Sequence, residues 1–197
     1  MDFTEMLNIL QFLRDAEQLK IVYRTSWTSD GTRESTASHT WRLCLIALVV
    51  ERYFPEMDTA KLLKMCIIHD LGEAISGDVP AIYQSSLTPK SDQERKDLET
   101  LLQPLPAPIR DEILNLWDEY ENAATPEAQL AKALDKLETL LQHNQGANPP
   151  DFDYVFNTEY GRKFTDALPL TAAMRSQVDD ETRLKAAFQA LQRSASG

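Results

Sequence analysis

The sequence predicts an all-α protein, and two observations support this fold class. Long stretches are rich in Ala, Leu, Glu, Lys and Gln, whereas 197 residues contain only 6 glycines, few for a sheet with many turns. Apolar residues also recur at helical spacing along much of the chain. The chain is 43% hydrophobic and long enough to bury one core, so a single domain over residues 1–197 is expected.

The first three predicted helices carry much of the apolar sequence. They are expected near residues 4–21, near 36–54 ("TASHTWRLCLIALVVERYF") and near 59–75 ("TAKLLKMCIIHDLGEAI"). The second and third are apolar on nearly every side. This pattern predicts that both lie at the centre of a helical bundle.

Sequence signals for helix starts and ends define the later helices. Charged helices are expected near 91–103 and 108–120, separated by the proline-rich "QPLPAP". The next helix has Thr125 as its N-cap and Gly146 just past its end, with Leu130, Leu134, Leu137 and Leu141 facing the core. After the loop "GANPPDFD", helices within 150–192 are expected to complete the bundle.

Charge and composition exclude several classes of function. A formal net charge of −11 disfavours contact with a nucleic acid polymer, although one pocket can still be locally positive. The longest apolar stretch, "LCLIALVV", is too short to span a membrane, and the first residues lack the basic segment of a signal peptide. Cys44 and Cys66 both lie among apolar residues, which is typical of free thiols. A cytoplasmic protein without a membrane partner is expected.

The stretch "IIHDLGEAISGDVP" concentrates ionisable residues in an apolar setting. His69, Asp70 and Glu73 share one side of the predicted helix end, and a turn at Gly77 would direct Asp78 back toward them. Imidazole and carboxylate groups together suit a divalent transition metal. A capped, hydrogen-bonded helix end would give the same pattern, so these residues alone leave both interpretations open.

Two other positions are candidates for the same site. His39, in "STASHTWRL", is either a buried core histidine or a second imidazole ligand. Asp135, in "KALDKLETL", borders the leucine stripe, but Lys132 and Lys136 would also suit a solvated surface carboxylate. His143 lies in the last turn of its helix, where the macrodipole favours an imidazolium, and is interpreted as structural.

The order His39, then His69 with Asp70, then Asp135 resembles the H…HD…D signature of HD-domain metal-dependent phosphohydrolases. The block "HDLGEAISGDVP", the "ES" shortly before "HTWR", and the upstream "LKIVYRTSW" are similar to the 5′-deoxynucleotidase branch of that family. The resemblance covers roughly residues 8–145 and fades beyond them.

The resemblance implies an all-α HD fold that binds one divalent transition metal, namely Co, Mn, Fe, Ni or Zn. The implied ligands are His39, His69, Asp70 and Asp135. It also implies that Glu73 and Asp78 handle the attacking water. The implied reaction is hydrolysis of a deoxynucleoside 5′-monophosphate, carried out by a homodimer.

Substrate contacts are implied for two further residues. Arg24 matches a family arginine that contacts the substrate, and Trp27 matches its aromatic neighbour. Lys136 is a second candidate for stabilising phosphate charge. The sequence departs from many relatives at Ser38, where an acidic residue usually precedes the first histidine, and this predicts a looser contact around the metal ligands.

Two alternative functions remain open from the sequence. The first is another HD-type phosphohydrolase or phosphodiesterase, acting on a nucleoside triphosphate, a cyclic nucleotide or a pyrophosphorylated guanine nucleotide. The second is a non-catalytic binding module in which the metal only stabilises the helices. Glu73 and Asp78 favour an enzyme, because a structural metal site does not need them.

Overall fold

The computed structural model describes residues 2–79 and 90–195. Helices α1 to α4 span Phe3–Ala16, Thr36–Val50, Thr59–Ile68 and Glu73–Ser76. Helices α5 to α10 span Lys90–Leu102, Ala107–Glu121, Pro126–Gln145, Tyr154–Asn157, Arg162–Thr165 and Pro169–Ala195. Short 3₁₀ turns, Glu17–Lys20 and Glu51–Tyr53, extend α1 and α2, and the all-α prediction is confirmed. Within the described ranges, no helix combines the length and the apolar character needed to cross a membrane.

Helix α7 is the centre of the bundle. The hydroxyl of Thr125 caps its first turn, as the sequence predicts. Leu130, Leu134 and Leu137 are fully buried, whereas Leu141 is only partly buried. The helix packs against α2, α3, α6, α9 and α10. A helix surrounded in this way can bring its polar side chains into a common interior site with residues from several other helices.

The prediction that α2 is central on all sides is wrong. One face packs on α3 and α7 and buries Leu43, Ala47 and Val50. The opposite face leaves four apolar side chains exposed, namely Trp41, Leu45, Leu48 and Val49. Apolar content alone cannot distinguish a core helix from a surface helix with an apolar outer face.

The predicted helix over 59–75 is broken in the structure. Helix α3 ends at Ile68, and α4 begins at Glu73 after a tight turn. Helix α5 packs directly against Gly72 in this turn. A Cβ at Gly72 would lie 2.5 Å from the carbonyl oxygen of Glu94, so only glycine permits this approach. The turn therefore separates His69 from Glu73.

A short hairpin, which the sequence reasoning did not predict, lies against α7. Strand β1 (Tyr23–Trp27) pairs antiparallel with β2 (Arg33–Ser35), in the register Tyr23 with Ser35 and Trp27 with Arg33. The side-chain amide of Gln142 donates to the Trp27 carbonyl oxygen at 2.6 Å. This contact fixes the hairpin against the C-terminal end of α7.

The C-terminal helices pack on the same central helix. Helix α10 contacts α7, α8 and α9. The fully buried guanidinium of Arg175 donates to Asp179 at 2.6 Å and to the backbone carbonyl oxygens of Asn157 at 2.9 Å and Tyr160 at 2.7 Å. These bonds fix the short helix α8 and the segment that follows it.

Candidate metal centre and substrate cavity

His39 and His69 bring their imidazoles together from α2 and the end of α3. Nδ1 of His69 donates to the carbonyl oxygen of Cys66 at 2.8 Å, so Nε2 is the unprotonated nitrogen of the neutral ring. Nδ1 of His39 contacts the buried carboxylate of Glu138 and orients that ring in the same way. Both Nε2 atoms are buried, and neither has a hydrogen-bond partner within residues 2–79 and 90–195.

Two carboxylates complete the cluster. Oδ2 of Asp70 lies 3.0 Å from Nε2 of His69 and 3.9 Å from Nε2 of His39. Oδ1 of Asp135 lies 3.1 Å from Nε2 of His39 and 3.9 Å from Nε2 of His69. The structure therefore brings all four predicted ligand residues together, from α2, the turn after α3, and α7.

This arrangement fits a divalent metal on chemical grounds. Nε2 of His69 and Oδ2 of Asp70 are both hydrogen-bond acceptors, yet they lie 3.0 Å apart in a buried position. Two acceptors this close repel each other unless a proton or a cation lies between them. Two imidazoles with two carboxylates form a donor set typical of divalent transition metals.

The electrostatics of the cluster also favour positive charge. Burial, the largest effect, and the Arg24 guanidinium both lower the pKa of His39, but the carboxylates of Glu138 and Asp135 outweigh them and raise that pKa to about 10. Burial raises the pKa of Asp70, yet the neighbouring histidines and Arg24 hold it well below its usual range. The pKa of Asp135 is likewise depressed. A cation bound here would take the place of a proton on His39.

A second group of potential ligands, Glu34, His39 and Glu138, lies beside the first. Its carboxylates already have cationic partners. Glu138 accepts from Nε of Arg42 at 2.7 Å, and Glu34 lies 3.6 Å from Nε of Arg24. We therefore assign this group to supporting His39 rather than to holding a metal.

Glu138 is the main residue that the sequence reasoning missed. It follows Asp135 by three positions on α7, and this i, i+3 spacing places both carboxylates on one helix face, a signal that was available in the sequence. Ser38, where relatives carry an acid, has an exposed side chain whose hydroxyl lies 2.9 Å from that of Ser35. The carboxylate that supports His39 therefore comes from α7, not from the preceding position.

Asp135 is a buried residue, so the alternative of a solvated surface carboxylate is wrong. Its Oδ2 accepts from the hydroxyl of Tyr120 at 3.1 Å and lies 2.8 Å from Nζ of Lys136. Lys132 instead pairs with Glu121 at 2.8 Å. These contacts occupy Oδ2 of Asp135 and leave Oδ1 directed at the histidines.

Arg24 projects from β1 into the same region. Its Nη1 donates to Oδ2 of Asp70 at 3.2 Å, and its Nη2 donates to the hydroxyl of Thr139 at 3.1 Å. These bonds fix the guanidinium beside the cluster and on the wall of the cavity. The family resemblance implies that Arg24 contacts the substrate, and this role stays a prediction.

Glu73 and Asp78 lie on either side of the short helix α4. The buried carboxylate of Glu73 accepts from the hydroxyl of Thr36 at 3.0 Å. Gly77 adopts a φ of +81°, which supports the predicted turn before Asp78. Both acids line the cavity next to the four-residue cluster. Their predicted roles in handling water stay predictions.

A cavity of about 410 Å³ opens beside this cluster, a size suited to one small organic ligand. One set of lining residues, here called the polar wall, consists of Arg24, Asp70, Glu73, Asp78, Asp135 and Lys136. A second set, the aromatic wall, consists of Trp27, His143, Phe152, Phe156 and Tyr160. The predicted substrate residue Trp27 thus shares the cavity with Arg24 but lies among aromatic side chains.

The prediction of an imidazolium at His143 is wrong. Burial, the dominant effect, lowers its pKa to about 4, so the ring is neutral near pH 7. Nδ1 lies 3.1 Å from Oδ1 of Asn157, and Nε2 lies 3.0 Å from the hydroxyl of Ser26. Desolvation against α8 and β1 overrides the small attraction of the helix terminus.

Comparison with known proteins assigns the family. The family model described as HD domain matches residues 16–173, most of the chain. The chain belongs to the HD-domain family. This membership confirms the family that the H…HD…D order predicts.

Curated relatives of this HD-domain protein include 5′-deoxynucleotidase HDDC2 from Danio rerio. That relative is 34% identical over 142 residues, which cover 71% of this chain and 70% of the relative. The human protein of the same name is 31% identical over 140 residues, covering 70% of this chain and 68% of the relative. Among solved structures, a "predicted metal-dependent phosphohydrolase" from Magnetospirillum magnetotacticum MS-1 gives a TM-score of 0.78 at 27% identity, covering 91% of this chain and 94% of that one.

Proposed function

We propose that this HD-domain protein is a metal-dependent 5′-deoxynucleotidase, which hydrolyses deoxynucleoside 5′-monophosphates to deoxynucleosides and phosphate. The observation that carries the proposal is the convergence of two buried Nε2 atoms and two carboxylate oxygens beside a cavity of about 410 Å³, which both aspartates line. Relatives at 31% to 34% identity bear the name 5′-deoxynucleotidase and support the same reaction.

The metal would be held by His39, His69, Asp70 and Asp135. When bound, a divalent metal lowers the pKa of water and offsets charge on a phosphoryl oxygen. A donor set of two imidazoles and two carboxylates accepts Co, Mn, Fe, Ni or Zn, so metal identity has to be measured. One metal per chain is the stoichiometry that the four converging atoms support.

The polar wall supplies the remaining groups for phosphate hydrolysis. Arg24 is fixed by Asp70 and Thr139 and offers positive charge to the phosphate, and Lys136 adds a second cation on the same wall. Water attacks phosphorus, the bond from phosphorus to O5′ breaks, and the deoxynucleoside oxygen leaves with a proton. Glu73 is the group that we assign to receive the proton of the attacking water.

Several broader predictions belong to the same proposal. We treat residues 1–197 as one HD domain, supported by the packing of α10 on α7. A homodimer is supported by the exposed apolar face of α2, which a second copy would cover. A cytoplasmic location is supported by the free thiols of Cys44 and Cys66. The exclusion of nucleic acid polymers rests on the net charge of −11.

Phosphate release from a substrate panel tests the proposal. Chelated protein, reloaded with each metal in turn, is assayed with deoxy- and ribonucleoside monophosphates, nucleoside triphosphates and cyclic nucleotides. The proposal expects phosphate from deoxynucleoside monophosphates above all other substrates. Preferential turnover of a triphosphate or a cyclic nucleotide would identify a different HD-type enzyme. Full metal occupancy without turnover of any substrate would support the binding-module alternative.

A further inference from the structure

Beside the aromatic wall, the cavity lining includes a buried side-chain amide with a hydrogen-bond donor that no described residue accepts from. Asn157, on α8, is 1% exposed and lines the cavity. Its Oδ1 lies 3.1 Å from Nδ1 of His143, whereas its Nδ2 has no hydrogen-bond partner among the residues that the structure describes. Leaving a buried amide donor unpaired costs stability, so such a group in a cavity indicates a ligand that pairs with it.

A chain of hydrogen bonds sets the orientation of the Asn157 amide. The His143 imidazole is neutral, because burial lowers its pKa to about 4, and it therefore carries a single N–H. Oδ1 of Asn157 can only accept, so Nδ1 of His143 carries the hydrogen, and Nε2 accepts from the Ser26 hydroxyl at 3.0 Å. Nδ2 is then left without an acceptor among the described residues, in a side chain that lines the cavity. Arg175 fixes the backbone of Asn157 through its carbonyl oxygen, at 2.9 Å.

The surroundings of this donor suit a flat, aromatic ligand group. The Phe152 ring stands edge-on to His143, with centroids 4.9 Å apart, and edge-on to Trp27, with centroids 6.4 Å apart. Aromatic side chains of this kind stack on nucleobases. Two exposed carboxylates, Asp151 and Asp153, also line this part of the cavity and would repel a phosphate. Under the proposed function the phosphate lies beside the metal ligands and the cations Arg24 and Lys136, which leaves the aromatic wall for the base.

We propose that Nδ2 of Asn157 donates a hydrogen bond to a carbonyl oxygen of the nucleobase. The donor favours bases that present a carbonyl at the 6-position of a purine or the 4-position of a pyrimidine. Adenine and cytosine carry an amino group there, and two facing donors repel each other. The inference rests on the proposed nucleotidase function and adds a preference for keto-bearing bases to it.

Two matched substrate pairs test this preference in the metal-loaded protein. dIMP and dAMP differ at the 6-position of the purine, and dUMP and dCMP differ at the 4-position of the pyrimidine. We expect kcat/KM to favour dIMP over dAMP by about tenfold, the effect of one hydrogen bond to a buried donor, with the same direction for dUMP over dCMP. Equal values of kcat/KM within both pairs in the wild-type protein would overturn the inference without any variant.

Asn157→Asp is the informative substitution. It keeps an acceptor for Nδ1 of His143 and replaces the free donor by an acceptor, so the keto preference should vanish or reverse toward dAMP and dCMP. If the added negative charge only weakens activity in general, kcat/KM falls for all four substrates and the ratios within the two pairs stay unchanged. That outcome would contradict the assignment of Asn157 as a donor to the base. Val155→Ala, on the same helix but exposed and outside the cavity, is the matched control and should keep the wild-type ratios.

A binding measurement separates this inference from the proposed function. Calorimetric titration of chelated protein with deoxyinosine and deoxyadenosine needs neither metal nor phosphate chemistry. If no deoxynucleoside monophosphate is hydrolysed with any metal, the proposed function fails. The role of Asn157 as a donor to the base is still supported if the wild-type protein binds deoxyinosine more tightly than deoxyadenosine and Asn157→Asp does not. Equal binding of the two nucleosides overturns it. If hydrolysis occurs but the wild-type and variant ratios agree, the inference fails and the nucleotidase proposal stands.

Discussion

Glu138 contacts Nδ1 of His39 through its fully buried carboxylate. On the same helix, Asp135 lies 3.1 Å from Nε2 of the same imidazole. Helix α7 therefore contacts both nitrogens of the His39 ring. Glu138 contacts Nδ1 and sets the tautomer, and Asp135 lies beside Nε2 as a second potential metal ligand. A carboxylate behind a metal-binding histidine typically orients the ring and makes Nε2 a better ligand.

Glu138→Gln should weaken metal binding while leaving the protein folded. Glutamine keeps an acceptor for His39 but removes the negative charge that Arg42 also contacts. Loss of such a supporting group typically lowers metal affinity by about 10- to 100-fold. Competition with a chromophoric chelator measures this affinity, and Glu181→Gln, at an exposed site on α10, is the control. Unchanged affinity would show that the contact with Glu138 does not position His39.

Asp135→Ala should remove the metal and nearly all activity. The substitution leaves both histidines in place but deletes the oxygen that lies 3.1 Å from Nε2 of His39. Elemental analysis of the purified variant measures the metal, and circular dichroism verifies the fold. Glu112→Ala, which removes an exposed carboxylate paired with Lys64, should keep full occupancy. Full occupancy in Asp135→Ala would exclude this residue from the ligand set.

The neutral state of His143 predicts a pH dependence of stability. Its pKa falls from 6.5 to about 4 on folding, so between these values the unfolded chain binds a proton that the folded protein does not. The free energy of unfolding should therefore decrease as pH falls from about 6.5 to about 4, by up to about 3 kcal/mol from this group. Above this window, the residue contributes no pH dependence.

Urea unfolding of the wild type and of His143→Gln across this pH range isolates that contribution. Glutamine retains a donor and an acceptor for Ser26 and Asn157 but does not titrate. The difference in unfolding free energy between the two proteins should change with pH in the stated direction. A constant difference would mean that His143 titrates with an ordinary pKa in the folded protein.

The resemblance to the H…HD…D signature, rather than any local pattern, predicts the four-residue cluster, because the residues taken alone left a structural interpretation open at each position. His69 and Asp70 are adjacent and Glu73 follows within four positions, and Asp135 borders a leucine stripe whose burial follows from its spacing. Pairing across long sequence separations is not encoded in such patterns. The contact of His39 with Glu138 and the contact of β1 with α7 therefore appear only in the folded structure.

The predicted helix ends and buried faces are wrong for a related reason. Nothing in the periodicity of residues 59–75 shows that α3 ends at Ile68 or that Gly72 lies in close contact with α5. The exposed apolar face of α2 was predicted to be buried, because hydropathy does not reveal whether other elements cover a surface. The environment of His143 depends on Ser26 and Asn157, which lie far from it or on another element, so the pattern of α7 alone does not reveal its burial.

The position of Glu73 suggests a final test, which distinguishes a role in proton transfer from a role in supporting the metal ligands. Its carboxylate is buried, accepts a hydrogen bond from Thr36 and lines the cavity, but the four nearby ligand atoms do not include it. A group so placed can receive the proton of an attacking water without being part of the metal site. Glu73→Gln preserves size and the acceptor for Thr36 while removing the basic oxygen. We expect the metal and the fold to be retained while kcat falls by about 10²- to 10⁴-fold.

Both quantities should be measured on one preparation of Glu73→Gln, with metal by elemental analysis and turnover by phosphate release. Thr36→Val is the companion variant, because it removes the donor that orients the carboxylate but keeps the carboxylate itself. It should lower kcat by a smaller factor if orientation matters to proton transfer. Metal loss from Glu73→Gln would instead make Glu73 a support of the ligand set. Retained metal with near wild-type turnover would assign the water-activating role to Asp78, which is the other acid on the polar wall outside the predicted ligand set.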